Sequence, residues 1–220
     1  MGLYTHNYVA NGNLQVWDSG PVPAQMDAQV TNTTITRLQR SFNEERPERY
    51  AWTEISGERS PGGDRFIYQG SDALRATLAS SSADDFRLHP EGVSATAWTG
   101  TCAVQLPVVG GHRYRLAVAA RSDTDGALLT IRIVGRETDD TVTAHLQSDG
   151  TWAASPTTGT DLGLGPRWGV VGVTFQVPLG LSNEVIENVV WQISNGTSGS
   201  LVYDIGEIRL EDLTIGYSSR

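Results

Sequence analysis

The chain has 220 residues and a mass of 23.7 kDa, a length at which an all-β sandwich commonly forms one undivided domain with a full apolar core. Its 39% apolar residues are dispersed, with no run near the ~18 needed to cross a bilayer, and the opening Met1 to Asn7 lacks the basic start and apolar middle of a signal peptide. The formal charge of −9 and pI near 4.8 oppose phosphate neutralisation and so exclude nucleic acid as an expected partner, while the single Cys102 excludes an intrachain disulfide or a thiolate metal cluster.

In chain order, Leu14 and Val16, with Ala10, suggest an early strand. A polar stretch from Asp18 to Thr36 reads as irregular, as does Ser41 to Asp64, with a short strand around Phe66 and Tyr68 after it. Leu74, Ala76 and Leu78 then share a face, and Val104 and Leu106 suggest a further strand. Tyr114, Leu116, Val118 and Ala120 alternate with Arg113, Arg115, Ala117 and Arg121, the period of a strand with one face buried. Leu129, Ile131 and Ile133 repeat the pattern, and so do Val171, Val173, Phe175 and Val177 until Pro178, which lacks a ladder donor, closes that strand. Val189, Trp191 and Ile193 lead to the turn pair Asn195-Gly196. In the last segment Leu201, Tyr203 and Ile205 share a face, the phase shifts at Gly206, and Ile208 and Leu210 continue it, which predicts a β-bulge at Gly206. Helical spacing is sustained nowhere, so the expectation is an all-β, single-domain jelly-roll sandwich over 1–220. It should hold about eight to ten antiparallel strands and almost no helix.

Several of these segments resemble a known family in order. Ala10-Asn11-Gly12-Asn13-Leu14-Gln15-Val16-Trp17 is similar to the opening of jelly-roll domains on tailed-phage virion surfaces and of galactose-binding-like carbohydrate-binding modules. Ala73 to Thr77, Tyr114 to Arg121, Val173 to Pro178 and Leu201 to Glu211 resemble later strands of the same family. The resemblance implies a sugar-binding jelly roll. It also places Asp204 where such modules hold a structural calcium ion, whereas the companion position is Gln15, whose neutral amide is a poorer ligand for a hard cation than a carboxylate. Calcium at Asp204 is thus one expectation, a turn-capping Asp204 the other, and no further cofactor is expected.

Sugars are bound largely by stacking on exposed aromatics, with side-chain hydrogen bonds to their hydroxyls. Trp98, Trp152 and Trp168, the last preceded by Arg167, sit among Gly, Ser, Thr and Pro and are candidate glycan platforms, although a loop tryptophan can equally fold back onto the sandwich. Tyr50 and Trp52 form another candidate group. Trp17 and Trp191 read as core residues. No catalytic residues are expected: His6, His89, His112 and His145 are scattered, Asp84-Asp85 and Asp139-Asp140 read as solvated turn pairs, and no nucleophile or phosphate-loop motif occurs.

The resemblance therefore implies a non-enzymatic protein on the surface of a tailed phage or phage-like particle, made in the host cytoplasm without a signal peptide. Because the module starts within the first ten residues, a capsid decoration or head spike is expected before a tail-fibre tip. Its expected partners are a capsid or other virion protein and host-surface polysaccharide, with homotrimers frequent among such virion domains. The alternative is a stand-alone carbohydrate-binding module of a polysaccharide-degrading system.

Overall fold

The computed structural model describes residues 9, 12, 14, 16–17, 20–39, 72–100, 102, 106–137, 141–179 and 186–214. Thirteen strands run in chain order: β1 (Met26–Val30), β2 (Thr33–Gln39), β3 (Asp72–Ser81), β4 (Phe86–Pro90), β5 (Leu106–Pro107), β6 (Arg113–Ser122) and β7 (Ala127–Arg136). They continue with β8 (Val142–Leu146), β9 (Trp152–Ala153), β10 (Thr160–Leu164), β11 (Gly169–Gln176), β12 (Asn188–Asn195) and β13 (Gly199–Asp212). No described residue is helical. The strands form two antiparallel sheets, one of eight strands with the path β1-β4-β12-β7-β8-β9, and one of five in the order β11-β6-β13-β3-β2.

The two sheets face each other across one apolar core. Leu74, Ala76 and Leu78 of β3, Leu116 and Val118 of β6, and Ile205, Ile208 and Leu210 of β13 meet Phe86 and Leu88 of β4, Ile131 and Ile133 of β7, and Trp191 and Ile193 of β12. Two-residue alternation sends these side chains inward and their neighbours outward. Truncating one of them to alanine costs roughly 2–5 kcal/mol, because the lost transfer energy is joined by a cavity. Trp191 is buried as expected, and Trp17 lies half-buried against the same core with the Arg37 guanidinium 4.9 Å above its ring.

The expected bulge is present: pairing of β13 with β6 shifts register between Ile205 and Glu207, so both halves of the strand keep their apolar residues inward. β11 stops just before Val177 and Pro178, as the missing proline donor requires. Other expectations change. The stretch Asp18 to Thr36 is not irregular throughout, because β1 and most of β2 lie in it. Their side chains are largely exposed on outer strands, so burial leaves little apolar alternation in the sequence. In the expected early strand, Leu14 has φ 52 and is buried while Val16 is 58% exposed, so the pair does not share a strand face. Phe66 and Tyr68 lie outside the described residues.

Both sheets are partly covered on their outer faces. β12 is buried at every position, because a second cluster of Val93, Trp98, Cys102, Val134 and Val190 covers the outer side of the eight-stranded sheet. The Gln192 side-chain amide donates to Ala95 O at 2.8 Å and ties the covering loop down. The outer face of the five-stranded sheet is buried at Ala73, Ala117, Ala119 and Glu207 and exposed at Thr34, Thr36 and Thr77.

Candidate functional site

Cross-strand register builds the site. Arg121 of β6 pairs with Asp204 of β13, Asp204 pairs with Arg75 of β3, and Arg75 pairs with Thr36 of β2. Trp168 immediately precedes Gly169, which pairs with Ala120, so the indole continues the row beyond Arg121. One straight row thus crosses the outer face of the five-stranded sheet: Trp168, Arg121, Asp204, Arg75, Thr36. Directly opposed side chains on neighbouring strands lie within contact distance, which is why five residues far apart in sequence meet there.

The contacts are specific. Arg75 grips Asp204 with two parallel bonds, Nε to Oδ1 at 2.7 Å and Nη2 to Oδ2 at 2.9 Å, and Arg121 Nε donates to Oδ2 at 2.8 Å. The Asp204 side chain is only 3% exposed, whereas those of Arg75 and Arg121 are 35% and 31% exposed. The Arg121 guanidinium carbon lies 5.1 Å above the Trp168 ring, a cation–π arrangement that stacks the guanidinium on one face of the indole. The hydrogen bond to Asp204 raises the Arg75 pKa still further above its ordinary value, against the opposing effect of burial. Asp204 does not suit a calcium ion: two guanidinium groups already hold both of its oxygens, and their charge repels a cation. Nor does it cap a turn, since it sits inside β13. Gln15, the companion position, lies outside the described residues. Among those described, no three His, Cys, Asp or Glu side chains gather as a metal site.

The remaining expected site residues fall elsewhere. Arg167 is exposed beside Trp168. Trp152 is half-buried at one end of the sandwich, edge-on to Phe175 at 5.8 Å, with its Nε1 donating to Gln176 O at 2.8 Å. Phe175 stacks on Tyr114, and Tyr114 on His112, whose Nδ1 lies 2.7 Å from Asp212 Oδ2. Trp98 is only 8% exposed within the second cluster, edge-on to His145, so its ring faces are taken up by protein. Tyr50 and Trp52 lie outside the described residues.

Sequence reasoning named Trp168 and Asp204 but missed Arg75, Arg121 and Thr36 as their companions. The available signal was that all are outward positions of alternating strands; the register that aligns them is non-local. A second polar cluster lies at the β3–β4 turn. Burial pushes the Asp84 carboxyl up, but hydrogen bonds from Arg132 and Ser194 outweigh this and hold it below the ordinary aspartate value. Asp84 is thus an ion-paired anchor and not a solvated turn residue. Asp139 and Asp140 lie outside the described residues.

No protein-family model and no curated protein matches the sequence. Solved structures do. The enzymatically active domain of tailspike protein 4 from bacteriophage CBA120 matches with a TM-score of 0.51 at 12% identity, over 94% of this chain and 21% of that one. The chain therefore spans about a fifth of the tailspike chain that it matches. TmCBM61, solved in complex with β-1,4-galactotriose, matches with a TM-score of 0.49 at 11% identity, covering 94% of this chain and 99% of that chain. The Stig cyclase Fisc from Fischerella sp. TAU matches with a TM-score of 0.48 at 10% identity, over 94% and 96% of the two chains. The chain has the fold of a jelly-roll β-sandwich.

Proposed function

We propose that the chain is a non-enzymatic virion surface protein of a tailed phage or phage-like particle. A single module over 1–220, it docks as a homotrimer on a capsid or other virion subunit, most simply as a head decoration or spike. It presents the outer face of the five-stranded sheet to host-surface polysaccharide. The observation that carries the sugar-binding part is the row itself: a half-buried indole with one guanidinium stacked on it, a second partly exposed guanidinium and an exposed threonine follow one another across the outer sheet face. An aromatic surface with hydrogen-bond donors beside it is what pyranose recognition requires. A binding role also agrees with the titratable side chains, since Asp72, Asp84, Asp204 and His112 are each committed to an ionic or hydrogen-bonded partner. Among the described residues no helix is long and apolar enough to cross a membrane.

The test has two arms. On a glycan array the protein binds a defined set of glycans, and Trp168→Ala weakens that binding about fivefold, the worth of one stacking contact. In parallel, mass spectrometry of gradient-purified particles finds the protein and its copy number per particle. An array without hits contradicts the sugar-binding reading. Glycan binding by a protein absent from particles assigns it instead to a polysaccharide-degrading system.

A further inference from the structure

We propose that the row selects acidic sugars: Arg75 and Arg121 receive a carboxylate or sulfate group carried by a pyranose whose ring lies along Trp168. This rests on the sugar-binding reading above and specifies the ligand class of the same face.

The case begins with hydrogen-bond supply. Each guanidinium carries five N–H donors in a planar fork. Asp204 engages Nε and Nη2 of Arg75 and Nε of Arg121. Among the described residues no hydrogen bond engages Nη1 of Arg75 or either terminal nitrogen of Arg121, and about a third of each side chain is exposed. Charge argues the same way. Two guanidinium groups over one carboxylate leave a positive charge uncompensated within the row. Asp123, in the turn after β6, also acts on Arg75 and offsets part of that charge, though from an exposed position where water screens it. Arg167 adds a further positive charge next to Trp168.

Rigidity is the third element. The bidentate Arg75–Asp204 bond and the stacking of Arg121 on Trp168 fix both forks before a ligand arrives, so little side-chain entropy remains to be lost on binding. The Asp84 cluster shows what a closed network looks like. There Arg132 is 14% exposed, and its Nη1 and Nη2 are shared among Asp84, Gln192 and Ser194. A single arginine would complete Asp204; the second, lying open on an indole, is what a ligand anion would use. Thr34, Thr36 and Thr77, exposed on the same face, supply hydroxyls for the neutral part of the sugar.

Isothermal titration of the full chain with a galacturonate trisaccharide, its carboxyl-reduced counterpart and a sulfated galactose trisaccharide tests the proposal. At least one acidic trisaccharide is expected to bind about tenfold more tightly than the reduced one, as a charge-assisted bidentate contact would provide. The carboxylate and sulfate arms tell which anion is preferred. Arg75→Gln, which leaves the Arg121–Asp204 bond in place, narrows that gap, and Arg121→Lys, which keeps the charge but loses the fork, narrows it as well. Since the ligand comparison uses the unaltered protein, poor folding of a variant does not blunt it. Equal affinity for acidic and reduced trisaccharides, or a gap that survives in both folded variants, overturns the acidic preference and leaves the sugar-binding reading standing. Binding of no trisaccharide, together with an empty array, overturns both.

Discussion

Glu207 shows what single residues contribute on this face. Its side chain follows the bulge on β13, pairs in register with Ala119, and is 7% exposed, with Oε2 lacking a hydrogen-bond partner. Burial pushes its carboxyl up to about 7; Arg209, with Nε 3.4 Å from Oε1, pulls the value down, and Glu211 pushes it up again. The folded state therefore holds this proton more tightly than the unfolded chain, whose value is the ordinary 4.5. The stability gained is complete below about pH 4.5 and is lost as pH rises to about 7. Glu207→Gln removes the ionisation. Thermal melts should show the variant more stable than the parent at about pH 8, by roughly 2–4 °C for each kcal/mol relieved, with the advantage shrinking below about pH 5. A difference in melting temperature that does not change with pH would show that the buried carboxyl does not titrate in this way.

At the scale of elements, β11 decides whether the row is complete. Among the described residues it is an edge strand of the five-stranded sheet, paired with β6, and it fixes the position of Trp168 at its start. Gly172 lets it lie close to β6: a Cβ there would come within 2.5 Å of Leu116 O and 3.0 Å of Ala117 Cα, both backbone atoms that cannot swing aside. Gly172→Val should cost roughly 1–3 kcal/mol through overpacking and weaken glycan binding along with it, because Trp168 moves with the strand. Gly163 in β10 has nothing within 4 Å of a built Cβ, so Gly163→Ala is a control expected within about 0.5 kcal/mol of the parent. Urea denaturation of the two variants measures both.

The same scale explains what could be read from sequence. β3, β6, β7, β11, β12 and β13 were legible because each has a buried face and at least three alternating apolar residues. β4 offers only Phe86 and Leu88 before His89 and Pro90, and β8 to β10 are short or interrupted by glycine, so period two had too few residues to register. Trp168 and Asp204 were legible as chemistry-bearing residues, but their meeting through Arg121 was not, since register across three strands depends on contacts spread along the whole chain. Trp98 stood in a polar loop by composition, yet the loop folds onto Val134 and Val190 and buries the ring.

For the whole molecule, each sheet is covered on its outer side over part of its width: the eight-stranded one over β12, the five-stranded one where Ala117, Ala119 and Glu207 are buried in the centre of β6 and β13. The eight-stranded sheet is covered on both sides over β12, and its polar side chains are turned inward to Asp84 and Ala95. On the five-stranded sheet the partly exposed outer positions are those of the row and the threonines beside it, Arg121, Arg75, Thr36, Thr34 and Thr77. The formal charge is −9 and every basic residue is arginine. The net charge repels polyanions, and forces between exposed charges are largely screened beyond about 8–10 Å, so any affinity for an acidic sugar must come from contact with Arg75 and Arg121 and not from long-range attraction. This separates local sugar recognition from nonspecific adhesion to nucleic acid, which the overall charge resists.

The claim that the five-stranded sheet is the glycan-binding face is tested most directly by mapping amide and indole NMR shifts during titration with a trisaccharide that the protein binds. The predicted result is a contiguous set of perturbed signals at Thr36, Arg75, Arg121, Trp168 and Asp204, with the indole N–H of Trp98 unmoved. Perturbation centred on Trp98, Arg132 and Gln192 instead would place the binding face on the eight-stranded sheet and contradict the account.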